Sequence, residues 1–559
     1  MGFFLRTMAL GLSVAVAAGC MSASADVMNA RPGGGILDAK QLYEGYQARK
    51  VFLSDDGNAL ALDGRVFRFG NEREGVITTD PVDLGPSVGL VGVETEVRAV
   101  AVEVRAEVPE GGAVETQLRS GPNKHDQSEW SEWTTVPGGK GRVEGLTGRY
   151  VQVRMTLKAA DPDNLPAVTA LVLEPEVGPL PRGAMPALEI VESDVQHIIR
   201  SPIEFHYERP DQPEVVAFRE AAGLDEVVEG AESDFDKLVK LMDWVGSCHN
   251  DRDKQPHMVD GRYTWDINKV FEIVDGTPTI YGHCMSYAQV LVYAAVSMGY
   301  VGARHYAVAG FRSAYHEVAD IWVPSLGRWV YFDPSLTSYY MDKDTGEPLS
   351  TLDTHDVIIE TFIPEGRDMS WFVQRRSNET RRVVREIGGK TPIRCRLGPW
   401  RYGEPMAEDY DWGFYHGYLA NGYVQMTPRN DFQSNPDAIP DQFGNLNQGP
   451  DYPFWTDKKT PLRRGVTNWF TRRRDFEWTL DQASLNLVRT GPNAVRVELG
   501  QSMPFFDHYK LTVNGEQATT AESTYDWPLR PGENTLTVEP VDEFGKVGQG
   551  STVTLKLGD

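Results

Sequence analysis

Over residues 41–174 apolar and polar positions alternate in short runs, as at 99–105 and 149–157, interrupted by Gly, Pro and Asp. Successive strand residues point to opposite faces, so period-two alternation with frequent turns predicts a β-sandwich over 36–174. The same rhythm resumes near Ser484, with runs at 509–513 and 532–538 around an Asn514-Gly515 turn, and predicts a second sandwich over 481–559. The middle of the chain follows another period. Residues 234–244 place Phe235, Leu238, Leu241 and Met242 on one helical stripe. A second helix is expected from Cys284 to about Met298, and because 287–296 is apolar nearly all round, it should lie at the centre of its domain. Strands are expected near 304–308, 316–323 and 328–333, the last two joined by a Pro324-Ser325-Leu326-Gly327 turn. Residues 175–186 read as a Pro-rich linker. Residues 346–480 show few clean periods and read as an irregular extension packed on a core at 187–345.

Composition narrows the functional classes. The formal net charge of −25 argues against nucleic-acid binding, which needs clustered Lys and Arg. The 54 Gly and 35 Pro favour turn-rich β modules. Arg6 followed by the apolar stretch 8–18 reads as an export signal within residues 1–25, too short to span a bilayer. Two endings are open: Ala17-Ala18-Gly19-Cys20 resembles a lipoprotein box that would lipidate Cys20, and Ala23-Ser24-Ala25 suits ordinary signal peptidase. The expected location is therefore the periplasm or cell surface, or outside the cell. Of the four cysteines, Cys20, Cys248, Cys284 and Cys395, three remain after processing. An odd number in an oxidising compartment leaves at least one thiol free or paired outside the chain. A bridge between Cys248 and Cys395 would keep Cys284 reduced.

Three side chains converge if these elements form. Trp322 and Trp329 flank the four-residue turn symmetrically, which sets a hairpin register with Val318 opposite Asp333. His316 is then the diagonal neighbour of Asp333 on the same face, where a carboxylate can fix the imidazole tautomer. Gly282 precedes the apolar helix, so Cys284 falls in its first turn, where the helix dipole and unpaired N–H groups favour negative charge on sulfur. A thiol activated by an oriented histidine is a nucleophile for carbonyl carbon.

Gly282-His283-Cys284-Met285-Ser286-Tyr287-Ala288, Met298-Gly299-Tyr300-Val301-Gly302-Ala303-Arg304, His316 and Trp329-Val330-Tyr331-Phe332-Asp333-Pro334 together resemble the transglutaminase-like superfamily. The resemblance covers about residues 235–340 and implies an α+β, papain-like core, flanked here by an N-terminal β-sandwich and a C-terminal sandwich that resembles immunoglobulin-like bacterial modules. It also implies a Cys284-His316-Asp333 triad. The expected activity is attack on an amide or other acyl bond through a thioester, with hydrolysis favoured over crosslinking. The expected substrate is a protein, peptide or glycopeptide at the cell surface. Carbohydrate contact through the sandwiches is a further expectation, with membrane attachment only through a lipid anchor. Trp244, Trp265 and His283 are candidates for contact with substrate or oxyanion. A non-catalytic scaffold on the same fold and a glycan-active enzyme are the alternatives.

Other features have blander readings. Trp130 and Trp133 invite a carbohydrate platform, but residues three apart on a strand face opposite ways, which favours packing for at least one. Cys248-His249 and His283-Cys284 lack spaced zinc-ligand form, so no metal or other cofactor is expected. Arg463, Arg464, Arg472, Arg473 and Arg474, with Trp469 and Trp478, form a basic-aromatic island that either binds an anionic or sugar ligand or, as favoured here, ties the extension to acidic neighbours. The aromatic residues of 410–423 either wall the cleft or pack.

Overall fold

The computed structural model describes residues 33–69, 73–88, 90–180, 185–251, 254, 258–259, 262–263, 265–309, 315–362, 393–406, 424–435, 452–457 and 466–558. The export segment with Cys20, the aromatic cluster 410–423 and Arg463-Arg464 lie outside them. Among the described residues, no helix is long and apolar enough to cross a membrane.

The N-terminal alternation folds as two six-stranded sheets. Their inner faces meet on a core that includes Leu60, Ile77, Val100, Val151, Val153 and Leu171. The C-terminal region forms two five-stranded sheets around Trp527, Leu511, Leu536 and Leu555. Asn514 and Gly515 both have positive φ, 51° and 88°, and pair Val513 with Glu516 across a two-residue turn, the geometry that Asn-Gly tolerates best. The sandwiches borrow strands across the chain. Val91–Val93 pairs in parallel with Ala483–Gly491, and Leu188–Asp194, from the stretch expected to open the core, pairs with Ser551–Leu557.

The expectation of an α+β protein with a papain-like core is overturned. The molecule is mostly β-sheet, 45% strand against 17% helix, distributed over many sheets. What holds is the sandwich content. Most of the strand lies in the sandwich sheets, and the extension adds strands that the sequence did not reveal. Its strands Val424–Met426, Phe454–Trp455 and Trp469–Phe470 complete a central six-stranded sheet with Ala303–Ala309, Tyr315–Val323 and Arg328–Phe332. Strands of two or three residues carry no legible period, and their side chains Val424, Met426, Phe454, Trp455, Trp469 and Phe470 are all buried.

Two helices pack against this sheet. Asp234–Ser247 starts at Ser233, whose side chain accepts the Asp236 N–H, and buries Leu238, Leu241, Met242 and Val245. Cys284–Ser297 is buried at every position from Met285 to Ser297. Removing any one of its larger apolar side chains from water contributes about 1.5–3 kcal/mol, so the helix is firmly seated. Tyr287 and Tyr293 donate their hydroxyls to the carbonyls of Cys248 and Trp265, both at 3.1 Å.

Candidate active site

The hairpin of Tyr315–Val323 and Arg328–Phe332 has the register expected from its turn. Trp322 pairs with Trp329, their rings edge to face at 5.9 Å, and Ala319 pairs with Phe332. One step further, His316 and Asp333 meet: Nε2 lies 2.6 Å from Oδ2, and both residues are buried. The other carboxylate oxygen, Oδ1, accepts the Ser335 N–H at 3.0 Å, the local bond that an Asp makes two residues on. Asp333 and Ser338 exchange both backbone hydrogen bonds, at 2.9 and 3.0 Å, so the turn that carries the carboxylate is closed on itself.

That turn is braced from outside. Thr337 has φ of 46° and is held by Gly398 N–H on its carbonyl at 2.8 Å and by its hydroxyl on the Trp400 carbonyl at 3.0 Å. Arg396 donates to the Thr337 carbonyl at 3.0 Å and forks onto both Asp243 oxygens at 2.6 Å, joining the turn to the first helix. Gly246 on that helix is required by close approach, because a Cβ there would sit 2.0 Å from Thr337 Cγ2. None of these brace positions was singled out from sequence.

Cys284 is placed from the other side. Short strand His249–Asn250 runs parallel to Thr277–Ile280, and Asn250 donates its side-chain amide to the Gly282 carbonyl at 3.1 Å. Gly282 then turns with φ of 113°, which glycine accepts at no steric cost, and His283 opens the helix in an extended conformation without a side-chain cap. Cys284 is the first helical residue and half-buried, where backbone N–H groups have no intrahelical acceptor. The Cys284 sulfur is one of the groups that raise the pKa of the His316 imidazole. Since Nε2 is taken by Asp333, Nδ1 is the nitrogen that can face sulfur.

Burial opposes a charge on His316, but the Asp333 carboxylate and then the Cys284 sulfur outweigh it and hold the imidazole well above its ordinary pKa. The other thiols differ. Burial raises Cys248, and burial together with the Asp333 carboxylate pushes Cys395 up to about 12. All three described cysteines are unpaired, so there is no Cys248–Cys395 bridge.

The sequence matches no family model and no curated protein. Solved structures give faint likenesses. A transglutaminase of red sea bream is similar at 10% identity over 87% of this chain and 95% of that one, with a TM-score of 0.18. A candidate cysteine protease of Cytophaga hutchinsonii is similar at 10% identity over 43% and 77%, with a TM-score of 0.16. A xylan-binding module of Roseburia intestinalis is similar at 12% identity over 25% and 94%, with a TM-score of 0.15. At these scores they carry no argument. The site stands on its own geometry.

The remaining candidates fall as follows. His283 is exposed beside Cys284. Trp265 is buried, stacked on Phe432 at 4.5 Å and edge-on to His305 at 5.0 Å. Trp244 is half-buried against Phe218 and Phe271. Trp130 and Trp133 lie in the loop before Thr134–Val136 rather than on a strand, and both rings face Arg119, at 5.2 and 4.8 Å. The face argument drawn from strand geometry therefore does not apply to them. In the basic island, Arg473 pairs with Asp353, Asp356 and Glu477, Arg472 with Asp475, and Arg474 with Asp80. The first two pairings lie within the extension itself; only Arg474 reaches an acidic residue outside it, while Arg472 also donates to the carbonyls of Tyr43, Gly45 and Tyr46.

Proposed function

We propose that this protein is a cysteine enzyme of acyl transfer, with Cys284 as nucleophile, His316 as proton carrier and Asp333 as its orienting carboxylate. The observation that supports the reading is the buried 2.6 Å bond between His316 and Asp333, formed beside a half-buried thiol at a helix start. With His316 charged, the Cys284 thiolate attacks an amide carbonyl carbon and a C–S bond forms. The carbonyl oxygen becomes an oxyanion, and the Cys284 N–H in the first helical turn is a suitable donor to it. Collapse breaks the C–N bond as His316 gives its proton to the departing amine, leaving a thioester. Neutral His316 then takes a proton from water, hydroxide attacks the thioester, and the thiolate leaves. Asp333 holds Nε2 throughout and stabilises the imidazolium.

Hydrolysis of a peptide, isopeptide or glycopeptide bond in an exported protein is the finer form of this proposal, since water reaches a half-buried site without a bound amine. Intact-mass spectrometry with a library of peptide amides and esters tests it. An acyl adduct on Cys284 that decays with release of free acid supports the reading. If no adduct forms, or Cys284→Ala turns over the same peptides, the reading fails.

A further inference from the structure

Away from the triad, a cleft of about 430 Å³ opens where the N-terminal sandwich, the segment 199–207, residues 478–480 and the C-terminal sandwich meet. Tyr46, His125, Gln127, Arg200, Tyr207 and Ser502 are among its polar and aromatic lining, and no carboxylate contributes. This is unusual ground in a chain of net charge −25.

Two groups in it are open to a ligand, an exposed guanidinium and a buried imidazole nitrogen. Arg200 makes a single long hydrogen bond, 3.4 Å to the Gln501 carbonyl, and has no ion-pair partner among the described residues. Asp80, the carboxylate whose field reaches it, is held by Arg474 at 3.4 Å. His125 Nε2 is buried and has no hydrogen-bond partner among the described residues. Its ring packs directly on Gly500, where a Cβ would come within 2.5 Å of it. Burial first, then Lys124 and Arg200, push His125 down to about 3, so the imidazole is neutral and can donate one N–H. Gln127 gives its side-chain oxygen to Arg119 at 2.5 Å, which leaves its amide NH₂ as the donor it can offer.

An arginine fork and a buried neutral donor fit the two oxygens of a carboxylate. A single guanidinium with neutral donors balances one negative charge, not the two of a phosphate monoester. The volume is at the small end for ligand sites and holds a single ring. We propose that this cleft binds a small organic carboxylate of sugar-acid or aromatic-acid size, with its carboxylate on Arg200 and His125 and its ring against Tyr46 and Tyr207. The site is separate from Cys284, so the proposal does not depend on the triad.

Isothermal titration of the full chain with glucuronate, galacturonate and benzoate tests it, with glucose and sulfate as controls. At least one acid is expected to bind with a Kd below about 1 mM, and glucose and sulfate about tenfold more weakly or not at all. Arg200→Gln, at a partly open position, should weaken binding about tenfold or more, His125→Leu about threefold or more, and Cys284→Ala should change nothing. The proposal is overturned if none of the three acids binds, if glucose or sulfate binds as well as the best acid, or if Arg200→Gln binds that acid like the wild type while melting normally.

Discussion

The central sheet holds two buried histidine–carboxylate pairs, and they differ in a way that separates chemistry from architecture. His305 Nε2 lies 2.9 Å from Glu317 without the alignment of a hydrogen bond, and His305 Nδ1 is 3.2 Å from the Thr427 hydroxyl, so fixed protein groups face both ring nitrogens. Trp265 closes over that ring edge-on. His316 gives one nitrogen to Asp333 and the other side of its ring to a half-buried thiol at the start of a helix. An imidazole on a carboxylate is therefore not enough. What distinguishes His316 is a reactive partner that is itself only half-buried. The cysteines repeat the lesson, since burial is the largest influence on Cys248 and Cys395 and raises both thiols.

Breaking each pair should have opposite consequences. His316→Ala should slow alkylation of Cys284 by iodoacetamide near pH 6.5 by about 10²-fold or more, the scale of a lost proton carrier. His305→Gln should leave that rate within about threefold but cost about 1–3 kcal/mol, because Glu317 loses its partner in a buried site. Urea melts alongside the alkylation assay check both halves. Equal loss of reactivity in the two variants would erase the distinction.

Asp333→Asn is the next largest change. The raised pKa of His316 makes its charge a stabilising feature of the fold. That contribution is fully present below the ordinary histidine value of about 6.5 and is lost as pH rises through the raised native value. The stability gap between wild type and Asp333→Asn should therefore be wider at about pH 5.5 than at about pH 9.5. Histidine-ring NMR should show His316 titrating lower in the variant; an unchanged value would contradict the assigned role of Asp333.

Smaller effects are expected from the brace. Gly246→Val must displace Thr337, which should cost about 1–3 kcal/mol and slow Cys284 alkylation several-fold by moving Asp333. Arg396→Leu removes a part-exposed ion pair with Asp243, and the stability change should stay near or below about 1 kcal/mol. A larger kinetic effect from Arg396→Leu than from Gly246→Val would mean that the brace acts through charge, not position.

Much of this site was legible before the structure. The symmetric Trp322 and Trp329 around a four-residue turn specified the register, and register alone put His316 against Asp333. The apolar run after Gly282 specified a helix that begins at Cys284. The papain-like α+β frame was wrong because sheet partners far apart in the chain leave no local trace. Val424–Met426 joins the hairpin sheet from a stretch without periodicity, and Val91–Val93 crosses to the C-terminal sandwich. The brace was hidden for the same reason: Asp243, Thr337 and Arg396 meet only in three dimensions.

The most direct test of the central claim is the rate of iodoacetamide alkylation at each cysteine from about pH 5 to pH 9, read by peptide mapping of the folded protein. The account predicts fast labelling confined to Cys284 at pH 6, abolished by His316→Ala and retained in His305→Gln. Labelling of Cys284 no faster than that of Cys248 or Cys395, or indifferent to His316, would contradict it.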